Sequence, residues 1–164
     1  MRNLRGTHDE DCECCKKGMD TFLAETEVLI KRYGHTVIST EIRNGEGIAI
    51  PMAYTAGLSD NSLPEIVCFG LARRAGHILL NDAAELLRKN KLPLDTAIPE
   101  LAVGFPLVFK RVPAEQGVSY INLANYRAGR PVDLIQLIWP DEQSRFPWDA
   151  EFDPLMRDAQ PLLF

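Results

Sequence analysis

The chain has 164 residues, a formal charge of -5 and 46% hydrophobic side chains. At that length a single domain can bury about 70% of the surface of its unfolded chain without disulfides or metals. The acidic balance opposes a phosphate backbone, the basic pairs are short, and no apolar run approaches the roughly 20 residues that span a bilayer, so nucleic-acid and membrane-spanning roles are disfavoured.

Residues 1–17 are polar and charged with no periodicity, which predicts a mobile arm ahead of one domain over 18–164. Two early arginines are not followed by an apolar run, so no secretory signal is expected and a cytoplasmic protein is the default. From Met19 the apolar positions Phe22, Leu23, Leu29, Ile30 and Tyr33 recur at helical spacing, and Gly34 is placed to end that helix as a left-handed cap. His35 to Ile42 is rich in β-branched residues, R-N-G-E-G makes a turn, and Ala49 to Leu58 forms the next strand, with Pro51 near its start and Gly57 at a bulge or close contact. Ser59 to Ser62 turns the chain into a strand over Glu65 to Leu71, giving a three-strand antiparallel meander.

The segment after Arg73 is the clearest helix, with Ala75, Leu79, Ala83, Leu86 and Leu87 as its apolar stripe and Arg73, His77, Asn81, Glu85 and Arg88 opposite. Asn90 and Pro93 stop it, and residues 92–106, with three prolines, read as a loop. Leu107 to Val112 is a short strand, Ser119 to Ala128 a short helix capped by Ser119 and closed by Gly129, and Val132 to Trp139 a strand interrupted by Gln136. From Pro140 the chain is rich in proline and aromatics and is expected to strap over the body as an ordered loop without a helix. The fold class is α+β: a mainly antiparallel sheet with two main helices packed on it and a Pro/aromatic C-terminal loop.

Several short motifs then coincide: Ala53-Tyr54-Thr55-x-Gly57-Leu58, Pro64-Glu65 with Gly70-Leu71, Leu80-Asn81, Gln136-x-x-Trp139-Pro140-Asp141, Phe146-Pro147-Trp148 and Gln160-Pro161-Leu162-Leu163. In these the chain resembles a bacterial family of unknown function, number forty-two sixty-two in its series. The resemblance implies a cytoplasmic domain, bacterial or phage-borne, and marks Tyr54, Thr55, Glu65, Asn81, Gln136, Asp141 and Trp148 as shared positions. It supplies no activity.

Five groups of side chains carry chemistry worth weighing. His8 with Cys12, Cys14 and Cys15 offers soft donors suited to zinc, but a second ligand pair is missing, and exposed or oligomer-forming thiols are the favoured alternative. Cys68 and Arg74 have the spacing of a cysteine phosphatase loop with Asp141 as its acid, yet the bulky Phe69 and Leu71 favour a buried core cysteine. His77 and Asn81 share one helix face flanked by Arg73, Arg74 and Arg88, ordinarily a solvated face. If the C-terminal loop folded over it, His77, Asn81 and Asp141 could line a polar pocket, and Arg73 and Arg74 near the helix start would suit an anionic ligand. Tyr54, Thr55 and Glu65 meet at the ends of one hairpin and could orient a ligand or tie down the turn, and Gln136 poses the same choice. Trp148 and the other aromatics, Tyr120, Tyr126, Trp139, Phe146 and Phe152, are expected to cover the core, and any left exposed would instead suggest a contact with a protein or a nucleotide ring.

No complete catalytic motif is present. The expected function is therefore binding of a small molecule or a protein partner, with self-association as a third role. The enzymatic alternative is a hydrolase or transferase using His77 or Glu65 as base with Asp141.

Overall fold

The structure is a computed structural model and describes residues 18–164. The expected arm, with His8, Cys12, Cys14 and Cys15, lies outside the described residues. The chain forms helix α1 (Met19–Tyr33), strands β1 (Thr36–Arg43) and β2 (Ala49–Ala56), a 3-10 turn (Leu58–Asn61) and strand β3 (Glu65–Phe69). Helix α2 (Arg73–Arg88), strands β4 (Ile98–Ala102) and β5 (Phe105–Val112), and helices α3 (Ala114–Gly117) and α4 (Asn122–Ala128) follow, before strand β6 (Leu134–Ile138) and helix α5 (Pro154–Ala159). No helix among the described residues is long and apolar enough to cross a membrane.

The fold is α+β. One six-stranded sheet has the order β1-β2-β3-β6-β5-β4, and every neighbouring pair is antiparallel except β3 with β6. That parallel pair is possible because the chain between β3 and β6 is long enough to cross over. β3 and β6 are buried at every position, as central strands covered on both faces should be.

Alternation along the strands divides the core in two. Ile50, Met52 and Tyr54 of β2 join Val67 and Phe69 of β3 in a cluster with Ile30 of α1 and Leu123 and Ala124 of α4. Ala53, Ile66, Cys68, Ile135 and Leu137 point the other way, against Leu80, Ala83 and Ala84 of α2. Arg127 of α4 ties the first layer together, pairing with Glu27 of α1 and, at 3.1 Å, with Asp60 of the 3-10 turn.

Four sequence expectations need correction. The buried side of α2 is Gly76, Leu80, Ala83 and Ala84, about a residue round from the expected stripe. Small residues decide it: a Cβ on Gly76 would sit 3.3 Å from Cys68 Sγ and 3.5 Å from Ala53 Cβ, so the helix lies close on the sheet. The expected loop over 92–106 contains β4, because Pro99 is tolerated on an outermost strand. Ser119 caps nothing; α4 starts after Ile121, and Asn125 closes the segment by donating to the Val118 carbonyl and accepting from Val132 N–H. The C-terminal strap contains α5, begun by Asp153, whose Oδ1 accepts from Leu155 N–H at 2.9 Å, and by Pro154 at the first turn.

Two buried glutamines hold that strap to β6. Gln160 reads the backbone of Trp139 as a strand would, accepting from its N–H and donating to its C=O, each at 2.9 Å. Gln136 donates to the Pro161 carbonyl at 2.7 Å and accepts from Leu163 N–H at 3.0 Å. Replacing Gln160 by Ala strands two backbone groups of Trp139. It should cost roughly 1–3 kcal/mol in a urea titration and open residues 150–164 to limited proteolysis; an unchanged midpoint and cleavage pattern would show that the clamp is dispensable.

Candidate functional site

The turn after β2 gathers a buried carboxylate. Glu65 Oε2 accepts from the Thr55 hydroxyl at 2.6 Å, and Oε1 accepts from the N–H of Gly57 at 2.9 Å and from the N–H and hydroxyl of Ser59 at 3.0 and 2.9 Å. Burial pushes the Glu65 carboxyl upward, and the donors from Thr55, Ser59 and Gly57 pull it back. Thr55 and Glu65 are thus brought together, and the Thr55 oxygen also accepts from Ile66 N–H at 2.8 Å. Tyr54 is not part of this group: it belongs to the α1-side core, where burial pushes its phenol up to about 12. Of the two roles open to this group, tying down the turn is the one its hydrogen bonds serve.

Asp141 is also committed locally. Its Oδ1 accepts from the N–H of Gln143 and Arg145, and its Oδ2 from Arg145 Nε at 2.7 Å. Burial works to raise its pKa, but the Arg145 backbone and guanidinium and the Gln143 N–H bring it below the usual carboxylate range. Gln136 serves the clamp described above. Cys68 is buried under α2, and burial pushes its thiol up to about 12, far from a nucleophile's range. Trp148 is exposed, stacked on Phe146 at 5.0 Å, with Lys110 Nζ 4.7 Å from its ring centre.

Two hollows flank the outer ridge of α2. One, about 540 Å³, is lined by Arg73, Arg74, His77 and Ile78. The other, about 390 Å³, lies between the end of α1, the start of β1 and α2, and is lined by Leu29, Tyr33, His35, Thr36, Val37, His77, Asn81, Glu85 and Arg88. Asp141 lines neither hollow, so the C-terminal loop does not complete the pocket in the way the sequence suggests.

The floor of the second hollow is a hydrogen-bond chain through His35, which is only 7% exposed. Asn81 Nδ2 donates to the His77 carbonyl at 2.9 Å, which leaves its Oδ1 to accept from His35 Nε2 at 2.8 Å. With the proton on Nε2, His35 Nδ1 accepts from Arg88 Nη2 at 2.8 Å. The chain therefore uses a neutral imidazole. Gly34, left-handed at φ 80°, lets Arg88 reach across, since a Cβ there would lie 2.9 Å from Nη2. Burial and then the Arg88 charge lower the pKa of His35, against the opposing bond to Asn81.

Sequence reasoning picks out His77 and Asn81, notes Arg88 only as a flanking charge, and misses His35, Leu29, Tyr33 and Val37. The only signal is that Gly34 turns the chain from helix to strand, which puts His35 at a junction without naming what it meets.

The family model described as "Domain of unknown function (DUF4262)" matches residues 29–153. The chain belongs to this family. No curated protein and no solved structure matches it. Of the DUF4262 motif residues that the sequence marks, Asn81 is the one that lines the cleft; Thr55, Glu65, Gln136 and Asp141 are spent on backbone and neighbouring side chains.

Two consequences can be measured. His35 has a folded pKa below its ordinary value near 6.5, so its contribution to stability is complete above the unfolded pKa and is lost as pH falls toward the folded one. Urea unfolding of the protein and of His35→Gln between pH 7.5 and pH 5 should converge on acidification, and NMR should place the His35 imidazole midpoint below the ordinary histidine value. Replacing Glu65 by Ala leaves buried donors unmatched and should cost roughly 2–4 kcal/mol by the same method.

Proposed function

We propose that this DUF4262 domain is a small-molecule binding module whose site is the cleft between α1, β1 and α2. The observation that carries the proposal is the convergence of a buried His35, Asn81 and the Arg88 guanidinium on one open cavity of about 390 Å³, within the size of small-ligand sites. Arg88 spends one N–H on His35, and its remaining donors suit a carboxylate or phosphate oxygen. Leu29, Tyr33 and Val37 offer an apolar wall for the body of such a molecule. Arg73, Arg74 and His77 in the neighbouring hollow add positive or hydrogen-bonding character on the same ridge. With this role we propose a cytoplasmic bacterial setting, as the family resemblance suggests.

The catalytic alternative draws less support, because Glu65 and Asp141 are each held by several donors and neither lines the cleft. Of its three residues only His77 faces a hollow.

Native mass spectrometry of protein purified gently from its host tests the proposal. A reproducible non-covalent mass should accompany the wild-type chain and be lost in Arg88→Ala and Asn81→Leu, both of which should keep their circular dichroism. A bare wild-type chain whose cleft amide resonances stay fixed in a mixture of carboxylate and phosphate metabolites would overturn it.

A further inference from the structure

The two edges of the sheet are built differently. β4 is short, carries Pro99 and loses register between Ile98 and Ala102, devices that discourage pairing with another chain. β1 has none of them. It runs eight residues in unbroken register with β2, from Thr36 opposite Ala56 to Arg43 opposite Ala49, and is rich in β-branched side chains. Among the described residues no strand pairs with its outer side.

The direction of its backbone groups follows from two bonds. Asn44 N–H donates to the Ile48 carbonyl at 3.0 Å, continuing the β1–β2 register by one pair. Backbone groups alternate along an antiparallel strand, so Thr36, Ile38, Thr40 and Ile42 face β2 and Val37, Ser39, Glu41 and Arg43 face outward. Pro51 confirms the alternation: it lies opposite Glu41 and its carbonyl turns away from β1, accepting from Gly70 N–H at 2.8 Å.

We infer that β1 pairs antiparallel with β1 of a second copy about a two-fold axis at Thr40, joining the two sheets and bringing the partner's Arg43 to the rim of the cleft. In that register Val37 lies opposite the partner's Arg43 and Ser39 opposite the partner's Glu41, so every outward backbone group finds a counterpart. Ile38 falls opposite the partner's Ile42, on the face where both already pack against the α1-side core. An axis at Glu41 would set like charges against each other, and one at Ser39 would pull the buried His35 into the ladder. The first seventeen residues are a poor substitute occupant, with Thr7 their only β-branched residue. Opposed residues of an antiparallel pair share a face, and Val37 lines the cleft, so each cleft would combine Arg88 of one chain with Arg43 of the other. The shared cleft rests on the binding role proposed above; the dimer does not.

Sedimentation should find a concentration-dependent dimer of the full chain. In a chain with Cys12, Cys14 and Cys15 replaced by Ser, Thr40→Cys should cross-link on oxidation and Arg43→Cys should not. Ser39→Pro removes an outward N–H while sparing the ladder to β2, and should give a folded monomer. A wild-type monomer at its highest soluble concentration overturns the dimer, as does a dimer that Thr40→Cys fails to cross-link. For the cleft, Arg43→Ala should leave the dimer intact and weaken binding of inorganic phosphate by about fivefold, the factor for one partly screened charge. Phosphate that binds equally well to that variant overturns the shared cleft, and phosphate that binds neither chain, or is indifferent to Arg88→Ala, counts against the anion-binding role instead.

Discussion

The buried carboxylate of Glu65 is the constraint on which the rest of the structure depends. A fully buried acid is costly unless donors surround it, and here the donors come from one short stretch, Thr55 to Ser59. Satisfying it fixes the end of β2 and the 3-10 turn at once. That turn sets Gly57, at φ 113°, against α1: a Cβ on it would lie 2.8 Å from Ile30 Cγ2 and 3.1 Å from His35 Cα. The junction between α1 and β1 can therefore close, and His35 arrives within reach of α2. An acid that touches no cleft thus decides where the cleft's buried imidazole stands.

The same economy explains why most of the motif residues are structural. Gln136 and Gln160 supply, through side-chain amides, hydrogen bonds that a further strand would supply through its backbone. Trp139 Nε1 adds a bond to the Phe69 carbonyl at 2.7 Å, so the residue to which Gln160 is clamped is itself fastened to β3. Asp141 organises the turn that leads into the strap. Polar residues of this kind are spaced as catalytic groups might be, yet each is consumed by backbone that would otherwise be buried without partners. Asn81 differs because one side of its bond network is open to a cavity.

How far the sequence was legible follows from these particulars. Periodicity carried α1, α2 and the first three strands, because each buries one face or both against a continuous layer. The buried side of α2 was displaced because apolarity was weighed by size: Leu79, Leu86 and Leu87 outranked Gly76 and Ala84, whereas close approach to the sheet selects the small residues. β4 was hidden by Pro99 and the flanking Pro93 and Pro106, and Ser119 was read as a cap that Asn125 makes unnecessary. The Thr55–Glu65 pairing was visible as two polar residues flanking one turn. The His35–Asn81 contact was not, since it joins positions 46 residues apart through the packing of α2 across β1, and no local pattern encodes that crossing.

The placement of the cleft at the sheet's regular edge has a physical reason. α1 and α2 lie on opposite faces of the sheet, and two layers on opposite faces can border a common hollow only where the sheet itself stops. β1 is that margin. Its first residues, Thr36 and Val37, line the cavity with side chains while the outward backbone of Val37 begins the unpaired edge. Ligand cavity and pairing surface are therefore adjacent because of strand order, and a strand added to β1 would form a new wall of the cleft without moving either helix.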